Sequence, residues 1–270
     1  MIHADADLAR RLEHLISGKW RDLAALAGRL WPEKHATYID VAGGAALWIG
    51  EGGVINVAAG IGMDGPVGDD DIRRIEDFYA RRGVPPMLAT CPFADPTLFS
   101  VLGRRGWQVT EFENVLALEP AAYPVLEGPP PGVELRVCTT PEERELFGRT
   151  AARGFTDAGD PGVEHIEFGE IMAADLSSTL VLALVDGRPA GTGSVELFES
   201  GVAWLSADTT LPEFRGRGIQ QAVQRFRVGM ARDAGCALAV IESAPGSGSQ
   251  RNMERLGFRV VYPHLQFARV

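Results

Sequence analysis

No stretch of this 270-residue chain stays apolar for long. The longest runs, such as Leu180–Val185, fall far short of the ~20 residues a membrane helix needs. The N-terminal MIHADADLARRLEHL reads as an amphipathic helix and lacks the continuous apolar core of a signal peptide. The expectation is a soluble, cytoplasmic protein with no membrane partner. Cysteine is scarce and poorly spaced for bonding: Cys91, Cys138 and Cys236 are an odd number, far apart, with no CxxC pair. That excludes a disulfide framework and the usual zinc spacings. His3, His14, His35, His165 and His264 form no HxxxH or HExxH pattern, so no metal is expected. Cys236, in the strand-like CALAVIES, reads as a buried small hydrophobe. Cys91, in the loop-like TCPFADP, is the one cysteine open to a reactive reading, against the commoner one of an unreactive side chain.

Basic residues are outnumbered, 26 to 36, for a net charge of −10. A nucleic acid would be repelled over most of such a surface, since affinity for it comes largely from neutralised phosphates. An anion could be held only in a local basic pocket. What is present is ordinary for a globular protein: 46% hydrophobic and 23% charged residues. Those values exclude wholesale disorder, collagen-like repeats and coiled coil.

The strongest boundary signal is Gly128-Pro129-Pro130-Pro131-Gly132. Three consecutive prolines can neither continue a helix nor pair centrally in a sheet, so the segment reads as a stiff linker. It divides the chain into 1–128, the linker 129–132, and 133–270. The two halves share an order of elements: strand, turn, helix, Gly, strand, Pro-containing loop, short helix, Gly-aromatic, strand. Gly83 answers to Gly235, and Gly106-Trp107 to Gly257-Phe258. In the second half Pro141 opens a helix to about Phe155 with acids in its first turn. HIEFGEIMAADL is a second helix, and a hairpin turns across Asp186-Gly187. The helix from Gly218 carries Ile219, Val223, Phe226, Met230 and Ala234 on one stripe, with Gln220, Gln221, Gln224 and Arg232 opposite.

The segment richest in chemistry is Ala207–Ala222, ADTTLPEFRGRGIQQA. A strand ends at Thr210, a turn follows, and a helix begins near Gly218. Glycines 216 and 218 let backbone N–H groups converge, the helix N-terminus adds its dipole, and Arg215 and Arg217 add charge. Together they suit a phosphate or pyrophosphate. The segment is neither a Walker loop, lacking GK[ST], nor a GxGxxG fingerprint. Read alone, RGRG is equally a turn with two solvated arginines.

With Pro212 three residues before Arg215, and with Met253-Glu-Arg-Leu-Gly257-Phe258 leading into a last strand, the chain resembles the GNAT acyl-CoA transferase superfamily. The resemblance covers residues 133–270 well and the first half as a degenerate copy. It implies an α/β (α+β) fold of two GNAT-like domains, each a mixed, mostly antiparallel sheet flanked by helices. It also implies acetyl-CoA or another acyl-CoA as co-substrate, with pyrophosphate against the backbone of Arg215, Gly216, Arg217, Gly218, Ile219, Gln220 and Gln221. Backbone N–H groups near Thr210 and Leu211 would polarise the acyl carbonyl. Acetyl would pass to a small-molecule or peptide amine by direct attack in a ternary complex.

Two positions depart from the family pattern. Gln220 replaces the last small residue of the loop. Met253 stands where a tyrosine usually protonates the departing thiolate; Asn252 beside it could hold the pantetheine chain or be an exposed helix residue. By strand alternation Trp204, Ser206, Asp208 and Thr210 share one face. Asp208 stands first as general base, directly or through a water, against the alternative of capping a turn. Glu242 stands second and Glu196 third. Tyr262 is the replacement acid if it is not simply packed. The alternative to an enzyme is a non-catalytic acyl-CoA-binding or sensory protein. The first half has no arginine in its corresponding turn and three aspartates, Asp69–Asp71. It is expected not to bind CoA, leaving it to pack on the second half, wall the cleft or hold a homodimer together.

Overall fold

A computed structural model describes residues 2–124, 128–156 and 160–269. Its backbone falls into two compact units, His3–Val115 joined by the C-terminal strand from Val261, and Leu116–Val260. The division therefore falls at Leu116, not at the proline run, and the last strand belongs with the first unit. The end of the expected first domain at 125–127 lies outside the described residues. Gly128–Gly132 lies within the second unit, where the Pro130 carbonyl accepts from the Val133 N–H at 3.0 Å.

In the first unit α1 (Ala6–Leu30) is followed by β1 (Thr37–Val41), β2 (Gly44–Trp48), β3 (Ala58–Ala59), α2 (Asp69–Ala80), β4 (Met87–Thr90), α3 (Pro96–Arg104) and β5 (Trp107–Leu118). Strand β11 (Arg259–Arg269) completes it, in the order β1-β2-β3-β4-β11-β5. Asp5 caps α1, accepting from the Leu8 N–H at 2.9 Å, and Leu12, Ile16 and Leu23 bury one face of the helix. Cys91 is fully buried and donates weakly to Met63 Sδ at 3.9 Å; burial pushes its thiol up to about 12. It is a packed core residue, the commoner of the two readings its sequence allowed.

Glu76 of α2 is the tightest ionic node of this unit. It accepts from Arg105 Nε and Trp107 Nε1, each at 3.1 Å, and Arg269 Nη1 lies 3.2 Å away. Burial pushes the Glu76 carboxyl up, but the hydrogen bonds from Arg105 and Trp107 and the charges of Arg105 and Arg269 outweigh it, so its pKa is lowered. A depressed carboxylate pKa contributes stability above the unfolded value and loses it as pH falls. Glu76→Gln is therefore expected to melt below wild type at neutral pH and to converge on it in acid. Thermal melts across that range check this.

The second unit contains β6 (Val133–Val137), α4 (Pro141–Gly154), α5 (Val163–Ala174), β7 (Ser178–Val185), β8 (Arg188–Leu197), β9 (Val202–Thr210), α6 (Ile219–Asp233), β10 (Leu238–Ser243) and α7 (Gly248–Arg255). The strand order is β10-β9-β8-β7-β6, antiparallel except for the parallel pair β9–β10. Thr140 caps α4 in a reciprocal box with Glu143, and Pro141 sits at its first position. The core between α6 and the sheet includes Val195, Leu205, Val228, Ala239 and Phe258.

The repeat of elements is visible in the backbone. In each unit a helix joins a parallel strand pair, β3–β4 and β9–β10. The matched glycines share the left-handed conformation, φ 71° and 72° at Gly83 and Gly235, 78° and 97° at Gly106 and Gly257.

Two readings of local pattern change. The buried face of α6 runs through Ile219, Val223, Arg227, Val228 and Ala231, taking in Gln224, while Phe226 and Met230 are half-buried and Ala234 is exposed. The helix is rotated from its apolar stripe because Arg227 is drawn inward to a carboxylate. In β9 the alternation breaks at Ala207, whose φ is +54°. Ser206 pairs with Ser194 but Thr209 with Thr192, so β9 carries one extra residue there. A bulge of this kind transfers the following side chains to the other face. Ser206 and Thr209 therefore share a face, and Asp208 turns toward α6.

Candidate functional site

Where β9 ends, the chain makes a short turn, Pro212–Phe214, and then places Gly216 at φ 78° and Gly218 at φ 75° before α6. Only glycine takes such angles freely, and here they turn successive N–H groups toward one side. No side chain caps α6 and no acid stands in its first turn. Its N-terminal N–H groups and positive dipole thus open into a cleft of about 580 Å³ lined by Asp208, Thr210, Arg215, Gly216, Gly218, Ile219, Gln220, Gln221 and Asn252, and by Gly154, Phe214 and Arg255. Arg215 Nε donates to the Thr210 carbonyl at 3.3 Å, and Arg217 lies over the Phe214 ring at 5.6 Å.

The first unit is built otherwise at the matching place. There α2 begins on Asp69–Asp71, and Asp71 accepts from the Gly68 N–H at 2.9 Å. Three carboxylates thus put negative charge at the helix end where an anion would bind, and Asp69 and Asp70 pair with Arg104 and Arg73.

Gln220 does not obstruct the loop. Its Oε1 accepts from Asn252 Nδ2 at 2.7 Å, and its Nε2 reaches Ser249 Oγ at 3.4 Å. The amide is thus turned onto α7. Gln221 Nε2 also donates to Asn252 Oδ1 at 3.4 Å. From α7, Asn252 and Arg255 line the cleft, whereas Met253 is fully buried among Leu116, Val228 and Phe258. A side chain at 253 points into the core, so no acid can be supplied there.

The pairing of β9 with β10 ends at Trp204–Val240. The opening between them is a cavity of about 310 Å³ lined by Phe155, Trp204, Ser206, Asp208, Glu242, Ser243, Ser247 and Ser249, among others. Among the described residues its ionisable lining side chains are Asp208 and Glu242, which suits a cationic guest.

The two expected carbonyl-polarising donors part company. The Leu211 N–H is held by the Ala190 carbonyl at 2.9 Å, so it serves the sheet and is withdrawn from that role. In an antiparallel ladder adjacent residues point their N–H groups to opposite sides. The Thr210 N–H therefore points away from β8, toward the opening beside β10.

Asp208 is committed to a partner that sequence reading missed. Arg227 is fully buried and forms an ion pair with Asp208 Oδ1 through Nη2. A carboxylate that gave up this pairing to hold a proton would leave a buried guanidinium uncompensated, a costly state. Asp208 thus suits holding structure better than shuttling protons. Glu242 remains in the opening. Tyr262 lies in the first unit, its ring edge-on to Phe93 at 6.1 Å between centroids, outside the unit that carries the loop. Glu196 stands opposite Trp204 on β8.

No protein-family model matches the chain, and no curated protein matches it in sequence. Solved structures do. A GCN5-related N-acetyltransferase from Kribbella flavida superposes over 92% of this chain and 95% of its own, with TM-score 0.66 and 20% identity. A tandem GNAT protein from the clavulanic acid biosynthesis pathway covers 99% of this chain and 96% of its own, with TM-score 0.61 and 13% identity. A GCN5-related N-acetyltransferase from Sphaerobacter thermophilus covers 73% and 65%, with TM-score 0.59 and 16% identity. Identities this low speak to architecture alone, and the architecture agrees with the element order, the parallel pair and the glycine turn: this chain has the GNAT fold in tandem arrangement.

Proposed function

We propose that the second unit binds acetyl-CoA, or a related acyl-CoA, and transfers the acyl group to an amine. The observation that carries this reading is the uncapped start of α6 behind two left-handed glycines, opening into a cleft with Arg215 on its rim. Backbone from Arg215 to Gln221 would hold the pyrophosphate and Asn252 the pantetheine arm. The Thr210 N–H, facing the opening, would stabilise the oxyanion. The amine nitrogen attacks the thioester carbonyl carbon, the tetrahedral oxyanion collapses, and the C–S bond breaks to release CoA thiolate. The proton lost by nitrogen passes to Glu242, directly or through water, and the thiolate takes one from solvent.

A second reading has its own support. Met253 lies in the core and Asp208 is tied to Arg227, so neither supplies an acid or a base. An acyl-CoA-binding protein without turnover is consistent with both. Thiol release from acetyl-CoA, followed across monoamines, polyamines, aminoglycosides, amino acids and peptide N-termini, separates the readings. Amine-dependent release that falls about 100-fold or more in Glu242→Gln supports transfer with Glu242 as base. No thiol release with any amine in the panel, despite tight acetyl-CoA binding, supports the binding protein.

A further inference from the structure

The Arg227 guanidinium lies beside the β9 bulge. Nη1 donates to the Ser194 carbonyl at 2.7 Å and the Ser206 carbonyl at 3.0 Å, Nη2 pairs with Asp208, and Nε donates to Val223 in its own helix at 3.3 Å. Both neighbours of Ala207 are therefore gripped by one planar group. Ala207 itself is held at φ +54°, where an alanine does not rest unaided, and its carbonyl accepts from Thr192 Oγ1 at 2.8 Å. Space for the guanidinium exists because residue 193 has no side chain. A Cβ on Gly193 would lie 2.7 Å from Arg227 Cζ and 2.6 Å from Val223 Cγ1.

We propose that Arg227 is a positioning residue: by clamping the bulge at Ser206–Asp208 it sets the register of the strand end and so aims the Thr210 N–H at the acyl carbonyl. The inference rests on the acyl-CoA reading above and adds to it a part for a residue that touches no substrate. Arginine is required because four acceptors are met by one rigid fork. Lysine keeps the charge but cannot span both carbonyls and the carboxylate. The phosphate loop begins at Arg215, and none of its residues hydrogen-bonds Arg227 in this network.

The test is isotope-edited infrared spectroscopy of acetyl-CoA labelled with ¹³C at the acetyl carbonyl, together with titration of CoA lacking the acyl group. A hydrogen bond from Thr210 weakens the C=O bond, so the wild-type complex is expected to absorb at lower wavenumber than free acetyl-CoA. Arg227→Lys, and the charge-neutral pair Asp208→Asn with Arg227→Met, are expected to lose that shift while CoA affinity is kept. Any amine turnover should fall by about 100-fold, the scale of one oxyanion donor. A shift that persists in both variants overturns the proposal. So does a fall in CoA affinity alongside the shift, which would mean that Arg227 merely supports the fold of the loop. If wild type binds acetyl-CoA with no shift, this inference fails and the binding reading stands. If wild type binds neither acetyl-CoA nor CoA, both fail.

Discussion

Arg227→Met alone is expected to destabilise the second unit by about 3–5 kcal/mol, the usual cost of leaving one member of a buried ion pair without the other. Arg227 is fully buried and the Asp208 side chain is 8% exposed, so water cannot replace the missing partner. The substitution also strips donors from the Ser194 and Ser206 carbonyls. Adding Asp208→Asn is expected to return a large part of the loss, because an amide left beside methionine costs far less than a carboxylate. Chemical denaturation of the two single variants and the double variant forms the cycle that measures this. Additive losses would show that the two side chains do not depend on each other, contrary to the geometry.

The second large effect concerns the anion site. Arg215→Glu with Arg217→Glu is expected to weaken acetyl-CoA binding by at least about 100-fold, which is about 2.7 kcal/mol. Two favourable charges at the rim become two repulsive ones beside a helix start that already favours anions. Both arginines are exposed at the turn, so the exchange should leave the fold intact. Folding is checked by an unchanged melting temperature, and salt should weaken wild-type binding more than that of the variant.

How much of this could be read from residues alone follows from how local each signal is. The glycine turn at Gly216 and Gly218, the proline at 212 and the repeated Gly-aromatic corners are punctuation, and punctuation acts within a few residues. All of it reappears in the backbone. The bulge at Ala207 carries no such mark, since alanine neither favours positive φ nor signals a turn, and strict alternation therefore placed Asp208 on the wrong face. Arg227 was illegible for a related reason: an arginine in a helix reads as solvated until a buried carboxylate is found opposite it. That position 253 points into the core depends on Leu116, far away in sequence, as well as on the neighbouring Phe258. Leu211 was lost as a donor to Ala190, a pairing that only the folded sheet creates. Membership of the last strand in the first unit is likewise a product of topology. Its His264 Nε2 lies 3.3 Å from the buried Glu13 of α1, a close approach between residues at opposite ends of the chain.

The contrast between the two helix starts, one free of acidic side chains and one bearing three aspartates, is the centre of the account. Calorimetric titration of acetyl-CoA into the full chain tests it most directly. One molecule bound per chain, with binding abolished by Arg215→Glu/Arg217→Glu, is the predicted result. Two bound per chain would contradict the assignment of the first unit, and no binding by wild type would contradict the site itself.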